Sequence, residues 1–374
     1  MSSHNIIFCK RCLTPNSRPR VSFNSEGVCN ACLYSDQKAL INWGGRRQEF
    51  TDLISRLKKE TNSNYHCVVP WSGGKDSSAI AYKLKFEFGL NPLLVTFSPM
   101  IPNEIGHHNR EEMLQLGFDH LYLRPNPKIL RHLAKRFFIE RGNPKVAWDA
   151  GINTVPLQVA VNYAIPTVFY AEHGESEYGG RVLSPEHQRT RDFTEVIENY
   201  VGDDPRNWAD EIVQEADLYP YIYPPLDLVS KLGVKAYYFG YFFKWSMYEN
   251  YQFIKDKIDF KTNPKGRTDC TFTDYDSLDD KIDNLYYYMQ FIKFGFGRAV
   301  RDGSRLIQNG HLNREEALRL ALKYDDEFCY EHFKEVLEYL KLTKDEFYRV
   351  VDQHRNSEIW EKAGATWRLR VLPA

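Results

Sequence analysis

The stretch VVPWSGGKDSSAIAYKL, Val68 to Leu84, opens as an apolar run, passes through two adjacent glycines and continues with the spacing of a helix. A short apolar run bounded by glycine reads as a buried strand, and apolar residues at three- and four-residue intervals read as a helix. Strand, glycine turn and helix in that order bring backbone amides and the positive end of a helix dipole to one point, where an anion can bind. Ser72, Ser77 and Ser78 add hydroxyl donors. The loop is not a Walker A cradle. That motif needs a glycine where Val69 stands and Ser or Thr where Asp76 follows Lys75. It is not a dinucleotide fingerprint either; Gly295 and Gly297 lack the third glycine and lie in a stretch read as helical. An ordinary strand-to-helix turn needs one glycine and no such set of donors, so the loop is read as a phosphate site.

Around this loop the composition is that of a globular protein. The 374 residues, 43% hydrophobic and 14% aromatic, can bury a full core. With 49 basic and 50 acidic side chains the formal charge is −1, and no global positive field draws the chain to nucleic acid or to an anionic membrane. Neither partner is expected. The opening MSSHNIIFCKRC lacks the apolar core of a signal peptide, and no apolar run reaches membrane-spanning length. A cytoplasmic protein is expected.

Four of the seven cysteines stand as CKRC and CNAC: Cys9, Cys12, Cys29 and Cys32, spaced C-x2-C-x16-C-x2-C. Each C-x2-C turn puts two thiolates on one side of a tight knuckle, and two knuckles complete a tetrahedron, so the spacing predicts a zinc site. Four thiolates leave no open coordination position, which makes that zinc structural. An iron–sulfur centre is the alternative. Cys67 and Cys329 read as core thiols, and Cys270 as a loop residue.

The periodicity predicts helices over about Gln48 to Lys59, Ser77 to Phe88, Glu104 to Gly117, Ile129 to Arg141 and Val155 to Tyr163. Between them run strands at YHCVVPW, PLLVTF, HLYLR and PTVFYAE. This alternation implies an α/β fold, a parallel sheet with helices on both faces, whose ligands sit beyond the carboxyl ends of the strands. From about Asp227 strands are expected to vanish and helices to dominate, one of them starting at a cap on Asn313. Three units follow: a zinc-binding module at 1–46, an α/β domain at 47–226 and a helical region at 227–374.

SGGKDS after a strand resembles the signature loop of the PP-loop ATP pyrophosphatases, which include NAD synthetase, GMP synthetase, asparagine synthetase and several tRNA-modifying enzymes. Four further stretches sharpen the likeness: CKRCLTPNSRPRVSFNSEGVCNAC, GINTVPLQVAVNYAIPTVFYAEHGESEYGG, GYFFKW at Gly240 to Trp245, and FTDYDSLDDKIDNLYYYMQFIKFGFGRA. Together they resemble the N-acetyl sugar amidotransferases, which install acetamidino groups on pseudaminic, legionaminic or diacetamido-uronic acid sugars of bacterial surface glycans such as lipopolysaccharide and flagellin glycans.

The resemblance implies a reaction and a site. ATP would be split between its α- and β-phosphates, a carbonyl oxygen of an acetamido sugar or nucleotide sugar adenylated, and AMP displaced by ammonia. Ser72, Gly73, Gly74, Lys75, Asp76 and Ser77 would bind the phosphates, with Asp76 as a magnesium ligand. Hard oxygen ligands suit magnesium on a triphosphate. Thr96 and Phe97 would lie at the adenine, and Lys75, Asp76 and Glu172 would serve the chemistry. Glu172 and Glu177 are candidates for a second metal ligand or a substrate contact. Lys244, Trp245, Lys293 and Arg298 are candidates for substrate, the last two by neutralising pyrophosphate or a sugar carboxylate. Trp148 and Asp149 receive no role.

The first cysteine, Cys9, is claimed by the knuckle, and no G-x-C-x-G elbow occurs, so ammonia is expected from a separate glutaminase subunit. His173-Gly174-Glu175 matches the H-x-E of zinc deaminases, but no P-C-x-x-C follows. The alternative is a PP-loop tRNA-thiolating enzyme with an amino-terminal zinc module, for which Cys270 would be the accessible sulfur carrier.

Overall fold

A computed structural model describes residues 6–182, 184–192, 202–364 and 366–373. After the cysteine knuckles come α1 (Asn30–Leu40) and α2 (Trp43–Glu60), then β1 (Cys67–Pro70) and α3 (Lys75–Tyr82). β2 (Pro92–Phe97), α4 (Glu104–Leu114), β3 (Asp119–Leu123), α5 (Pro127–Arg141), α6 (Val146–Asn162) and β4 (Thr167–Tyr170) continue the alternation, and α7 (Gly174–Tyr178) follows β4. β5 (Lys235–Tyr238) completes a five-stranded sheet of order β3-β2-β1-β4-β5, parallel throughout.

Period-two alternation divides the core between the two faces. Val68, Leu93, Val95 and Val168 point to one face, where they pack with Leu133 and Phe137 of α5 and Ala150 and Leu157 of α6. Cys67, Val69, Leu94 and Phe169 point to the other, against Phe50 and Ile54 of α2, Ile80 of α3 and Met113 of α4. Phe50 is wholly buried, ringed by Phe88, Phe169, Phe239, Phe242 and Phe243 at centroid distances of 4.8–5.6 Å. The α/β class read from the sequence is the one observed.

Several expectations are corrected. The stretch after Asp227 is not free of strands: β5 pairs in register with β4 (Val168 opposite Ala236), and β6 (Trp360–Ala363) and β7 (Thr366–Leu369) form an antiparallel hairpin. Lys-Ala-Tyr-Tyr is too short to show alternation, and it is a strand because β4 offers it an edge. α6 begins nine residues before the expected Val155 and carries Pro156 inside it. Gly151 and Pro156 argue against a helix locally, yet a Cβ on Gly151 would lie 2.4 Å from the Phe97 ring, so the helix packs on β2 only with glycine there. α2 starts at Trp43 because Asn42 caps it, accepting from the Gly45 amide at 2.9 Å. The helix after the loop starts at Lys75, not Ser77, and passes into a π-helical turn at Lys83–Glu87. Gly295 and Gly297 are not inside a helix: Gly295, at φ +73°, ends Asp283–Phe294, and Gly297 caps Arg298–Gln308. Asn313 caps Arg314–Tyr324 as expected, accepting from the Glu316 amide at 2.8 Å. Among the described residues no helix is long and apolar enough to cross a membrane.

Candidate functional site

In the strand order β3-β2-β1-β4-β5 the chain reverses direction across the sheet between β1 and β4, the point at which sheets of this kind form a ligand crevice beyond the carboxyl ends of the strands. The glycine loop leaves β1 into that crevice and Glu172 leaves β4 into it. Gly73 sits at φ +89°, and a Cβ there would lie 2.4 Å from Cγ of Arg110, so both conformation and space demand glycine. Arg110 braces the loop by donating from Nη1 to the Ser72 carbonyl at 3.1 Å. Ser72 Oγ accepts from the Gly74 amide at 3.2 Å, and no side chain caps α3. Its first-turn amides are therefore left for an anion.

Lys75 is buried and bridges two carboxylates: Nζ lies 3.0 Å from Asp76 Oδ2 and 2.8 Å from Asp276 Oδ1. Burial works against its charge, but Asp276 and Asp76 outweigh that and raise its pKa. Asp276 is held in turn by Arg301 through an ion pair, while Arg298, fully buried, donates from Nη2 to the Asp276 carbonyl at 2.7 Å. Burial alone would raise the Asp276 pKa; Lys75, Arg301 and Arg298 hold it well below the usual range. Asp76 also accepts from Asn250 Nδ2 at 2.9 Å.

Glu172 is half-buried at the end of β4 and accepts from Tyr178 Oη at 2.5 Å. Burial, with the neighbouring charge of Asp76, pushes its carboxyl up to about 7. A carboxyl whose ionisation a neighbouring carboxylate opposes, together with that carboxylate, suits a hard divalent cation. Arg305 stacks over the Tyr178 ring at 3.6 Å.

The other sequence candidates divide by position. Thr96 is buried and its hydroxyl donates to the Trp71 carbonyl, so His120 Nε2, 2.8 Å away, must be the donor to Thr96 Oγ1. Phe97 is core, its ring against Gly151 and edge-on to Tyr221. Ser77 Oγ turns back to the Gly74 carbonyl at 3.4 Å. Glu177 is buried in an ion pair with Lys38 of α1 at 2.7 Å. Trp245 is buried and Lys244 exposed. Lys293 donates to the Arg141 carbonyl at 2.9 Å and lines a neighbouring cavity.

That cavity, about 490 Å³, lies between the knuckle module, α7 and the helices Asp283–Phe294 and Arg298–Gln308. Arg18, Arg20, Arg301, Arg305 and Asp149 face it. It adjoins the loop through two lining side chains, Tyr178 bonded to Glu172 and Arg301 paired with Asp276. Asp276, Arg301, Arg305, Tyr178 and Arg18 were missed in the sequence. One signal was present: Arg298, Arg301 and Arg305 recur at helical spacing, a basic stripe on one face.

The four cysteine sulfurs lie within 4.8 Å of one another and all four residues are buried. Sγ–Sγ distances are 3.9 Å (Cys9–Cys32) and 3.6 Å (Cys12–Cys29). A tetrahedron with Zn–S bonds of about 2.3 Å has edges of about 3.8 Å, so the set fits zinc. The Cys29 and Arg11 amides donate to Cys9 Sγ at 3.2 and 3.4 Å, as suits a thiolate. Cys67, Cys270 and Cys329 are buried; Cys270 is not an exposed loop thiol, and its Sγ donates to the Glu327 carbonyl at 3.1 Å.

Comparison with known proteins adds local matches. An uncharacterized protein of Methanocaldococcus jannaschii, MJ1599, is 34% identical over 88 residues, 23% of this chain and 31% of that protein, so the chain spans about a third of this curated relative's length. Among solved structures, the NH3-dependent NAD synthetase from Campylobacter jejuni aligns with a TM-score of 0.29 and 13% identity over 51% of this chain and 92% of that one. NMN synthetase from Francisella tularensis aligns with a TM-score of 0.29 and 14% identity over 52% and 93%. A predicted subunit of tRNA methyltransferase from Methanocaldococcus jannaschii aligns with a TM-score of 0.24 and 23% identity over 36% and 69%. Residues 269–372, which supply Asp276, Arg298, Arg301 and Arg305 to the site, match the family described as LPS biosynthesis protein WbpG-like, C-terminal domain.

Proposed function

We propose that this chain is an AMP-forming, ATP-dependent amidotransferase of bacterial surface-glycan biosynthesis, converting an acetamido group of a sugar or nucleotide sugar to an acetamidino group. The observation that carries the reading is the joining of two parts at one crevice. The SGGKDS loop with Lys75 and Asp76 meets Asp276 and Arg301 of the segment similar to a WbpG-like lipopolysaccharide-biosynthesis domain. The resemblance of the loop to PP-loop enzymes supplies the bond that breaks.

An amide carbonyl resists ammonia because its oxygen is a poor leaving group. In the proposed reaction that oxygen attacks the α-phosphorus of ATP, the bond to the β-phosphate bridging oxygen breaks, and pyrophosphate leaves. Ammonia then adds to the carbonyl carbon, the carbon–oxygen bond breaks, AMP departs with the oxygen, and loss of a proton leaves the amidine. The uncapped amides of α3 receive the pyrophosphate charge as it develops. Asp276 fixes Lys75, and Lys75 and Asn250 orient Asp76. Asp76 and Glu172 would hold magnesium, which when bound screens the triphosphate charge. Ammonia would come from a separate glutaminase subunit.

Incubation with ATP, magnesium, labelled ammonium and acetamido sugar acids tests the reading by mass spectrometry. Replacement of carbonyl oxygen by NH lowers the sugar mass by about one unit with unlabelled ammonium, a nitrogen-15 label restores that unit, and the product group is far more basic than an amide. AMP and labelled amidine are the expected products. ADP would overturn the nucleotide assignment, and AMP formed only with tRNA and a sulfur donor would transfer the chain to the thiolating enzymes. The buried thiol of Cys270 argues against that outcome.

A further inference from the structure

Cations in a protein interior are normally paired, because removing a charge from water costs several kcal/mol unless an opposite charge replaces the solvent. Of the arginines lining the cavity beside the glycine loop, Arg18, Arg301 and Arg305 are half-buried and Arg20 is exposed, and two of them depart from this pairing. Arg20 makes a two-pronged pair with Glu175, at 3.0 and 2.6 Å, and Arg301 is paired with Asp276 and with Asp302. Arg18 and Arg305 face the same cavity, and neither has a carboxylate within 4.0 Å among the described residues. The Arg18 guanidinium donates from Nη1 to the Gly179 carbonyl at 2.7 Å. Arg305 donates from Nη1 to Met247 Sδ at 3.3 Å and stacks on Tyr178. Glu175, which acts on the charge of Arg18, is already engaged by Arg20 and by the Arg181 amide at 2.8 Å.

The two guanidinium groups also repel each other. Burial, and next to it the charge of Arg305, lowers the Arg18 pKa. Like charges facing one cavity are unfavourable without a ligand, and an oxyanion between them would remove the penalty. Guanidinium groups have the planar donor fork that carboxylate and phosphate oxygens fit. Tyr178, Tyr286 and Tyr287 supply aromatic walls in the same cavity.

Building on the amidotransferase reading, we propose that Arg18 and Arg305 form an oxyanion subsite that holds the carboxylate or phosphate of an acidic sugar and so orients its acetamido group toward the glycine loop. Arg18 lies between the two cysteine knuckles, and its module is fastened across the crevice. The Leu13 amide donates to Ser304 Oγ at 3.2 Å, Ser17 Oγ to the Phe294 carbonyl at 2.6 Å, and Asn30 Nδ2 to the Gly180 carbonyl at 2.8 Å. The knuckle module is therefore a wall of the substrate site as well as a stabilising element. Arg18 and Arg305 act as positioning and specificity residues, since the reacting atoms lie at the loop.

Titration calorimetry on the zinc-loaded full chain tests the subsite with three probes: N-acetylneuraminate carries a carboxylate, N-acetylglucosamine 1-phosphate a phosphate, and N-acetylmannosamine neither. Wild-type protein is expected to bind one of the acids at least about tenfold more tightly than the neutral sugar, and Arg18→Gln and Arg305→Gln to weaken that acid about 10- to 100-fold. Loss for the neutral sugar should stay within about twofold, Arg305→Lys should recover part of the affinity, and the magnesium-ATP affinity of Arg18→Gln should be unchanged. The acid that loses affinity identifies the source of the oxyanion. Zinc content and melting temperature check that the variants are folded. No preference of the wild type for an acid, no effect of either variant, or equal losses for charged and neutral sugars would each overturn the subsite. Failure of the amidotransferase reading looks different: acids would bind through the pair, yet no amidine would form with ATP and ammonium.

Discussion

Lys75 Nζ lies 2.8 Å from Asp276 Oδ1, an ion pair between residues 201 positions apart that ties the first turn of the loop helix to the carboxyl-terminal part of the chain. Because Lys75 is buried, its charge cannot turn to solvent if the partner is removed, and truncating one side of such a pair costs about 3–5 kcal/mol. Through Asp276, which also pairs with Arg301, the loop is linked to the arginine-lined cavity.

Asp276→Asn should lower stability measurably in chemical denaturation and also weaken magnesium-ATP binding, because Lys75 would be left with Asp76 alone. Asp76→Asn should leave the fold intact and abolish AMP formation. Turnover of Asp76→Asn at the wild-type rate would remove Asp76 from the mechanism.

One zinc per chain is expected from metal analysis. Cys12→Ser should lose it and lower the melting temperature, since a structural zinc contributes folding free energy directly. Iron with a visible charge-transfer band would replace zinc by an iron–sulfur centre.

Glu172 gives the stability a pH dependence of defined sign. Its folded pKa of about 7 lies above its unfolded value of 4.5, so between these the native state binds more protons and stability falls as pH rises. The contribution is full below about pH 4.5 and lost through pH 7, with a slope of at most about 1.4 kcal/mol per pH unit that partial exposure reduces. Denaturation without added magnesium should show this decline in the wild type and a flatter profile in Glu172→Gln. Identical profiles would show that the carboxyl is not perturbed.

Gly151→Ala tests the packing of α6 on β2. The added Cβ would lie 2.4, 2.5 and 2.6 Å from Cζ, Cε2 and Cε1 of the Phe97 ring, and overpacking of this kind costs about 1–3 kcal/mol. A variant as stable as the wild type in urea would show that the ring can move aside.

What the sequence determined by itself is local. The parallel α/β fold follows from alternating apolar runs and helical spacing, the loop from two glycines between them, and the thiolate cluster from C-x2-C repeated, because each depends on residues a few positions apart. Tertiary structure decided the rest. β5 is four residues that become a strand only beside β4, and α6 runs through Gly151 and Pro156 because the sheet face rewards its burial. Phe97, placed at the adenine by resemblance, is held in the core by that same helix. Lys75 with Asp276, Tyr178 with Glu172, and Arg18 with Arg305 at one cavity are pairings of distant residues. No local pattern encodes them, since charge and burial at each position are set by which surfaces the fold brings together.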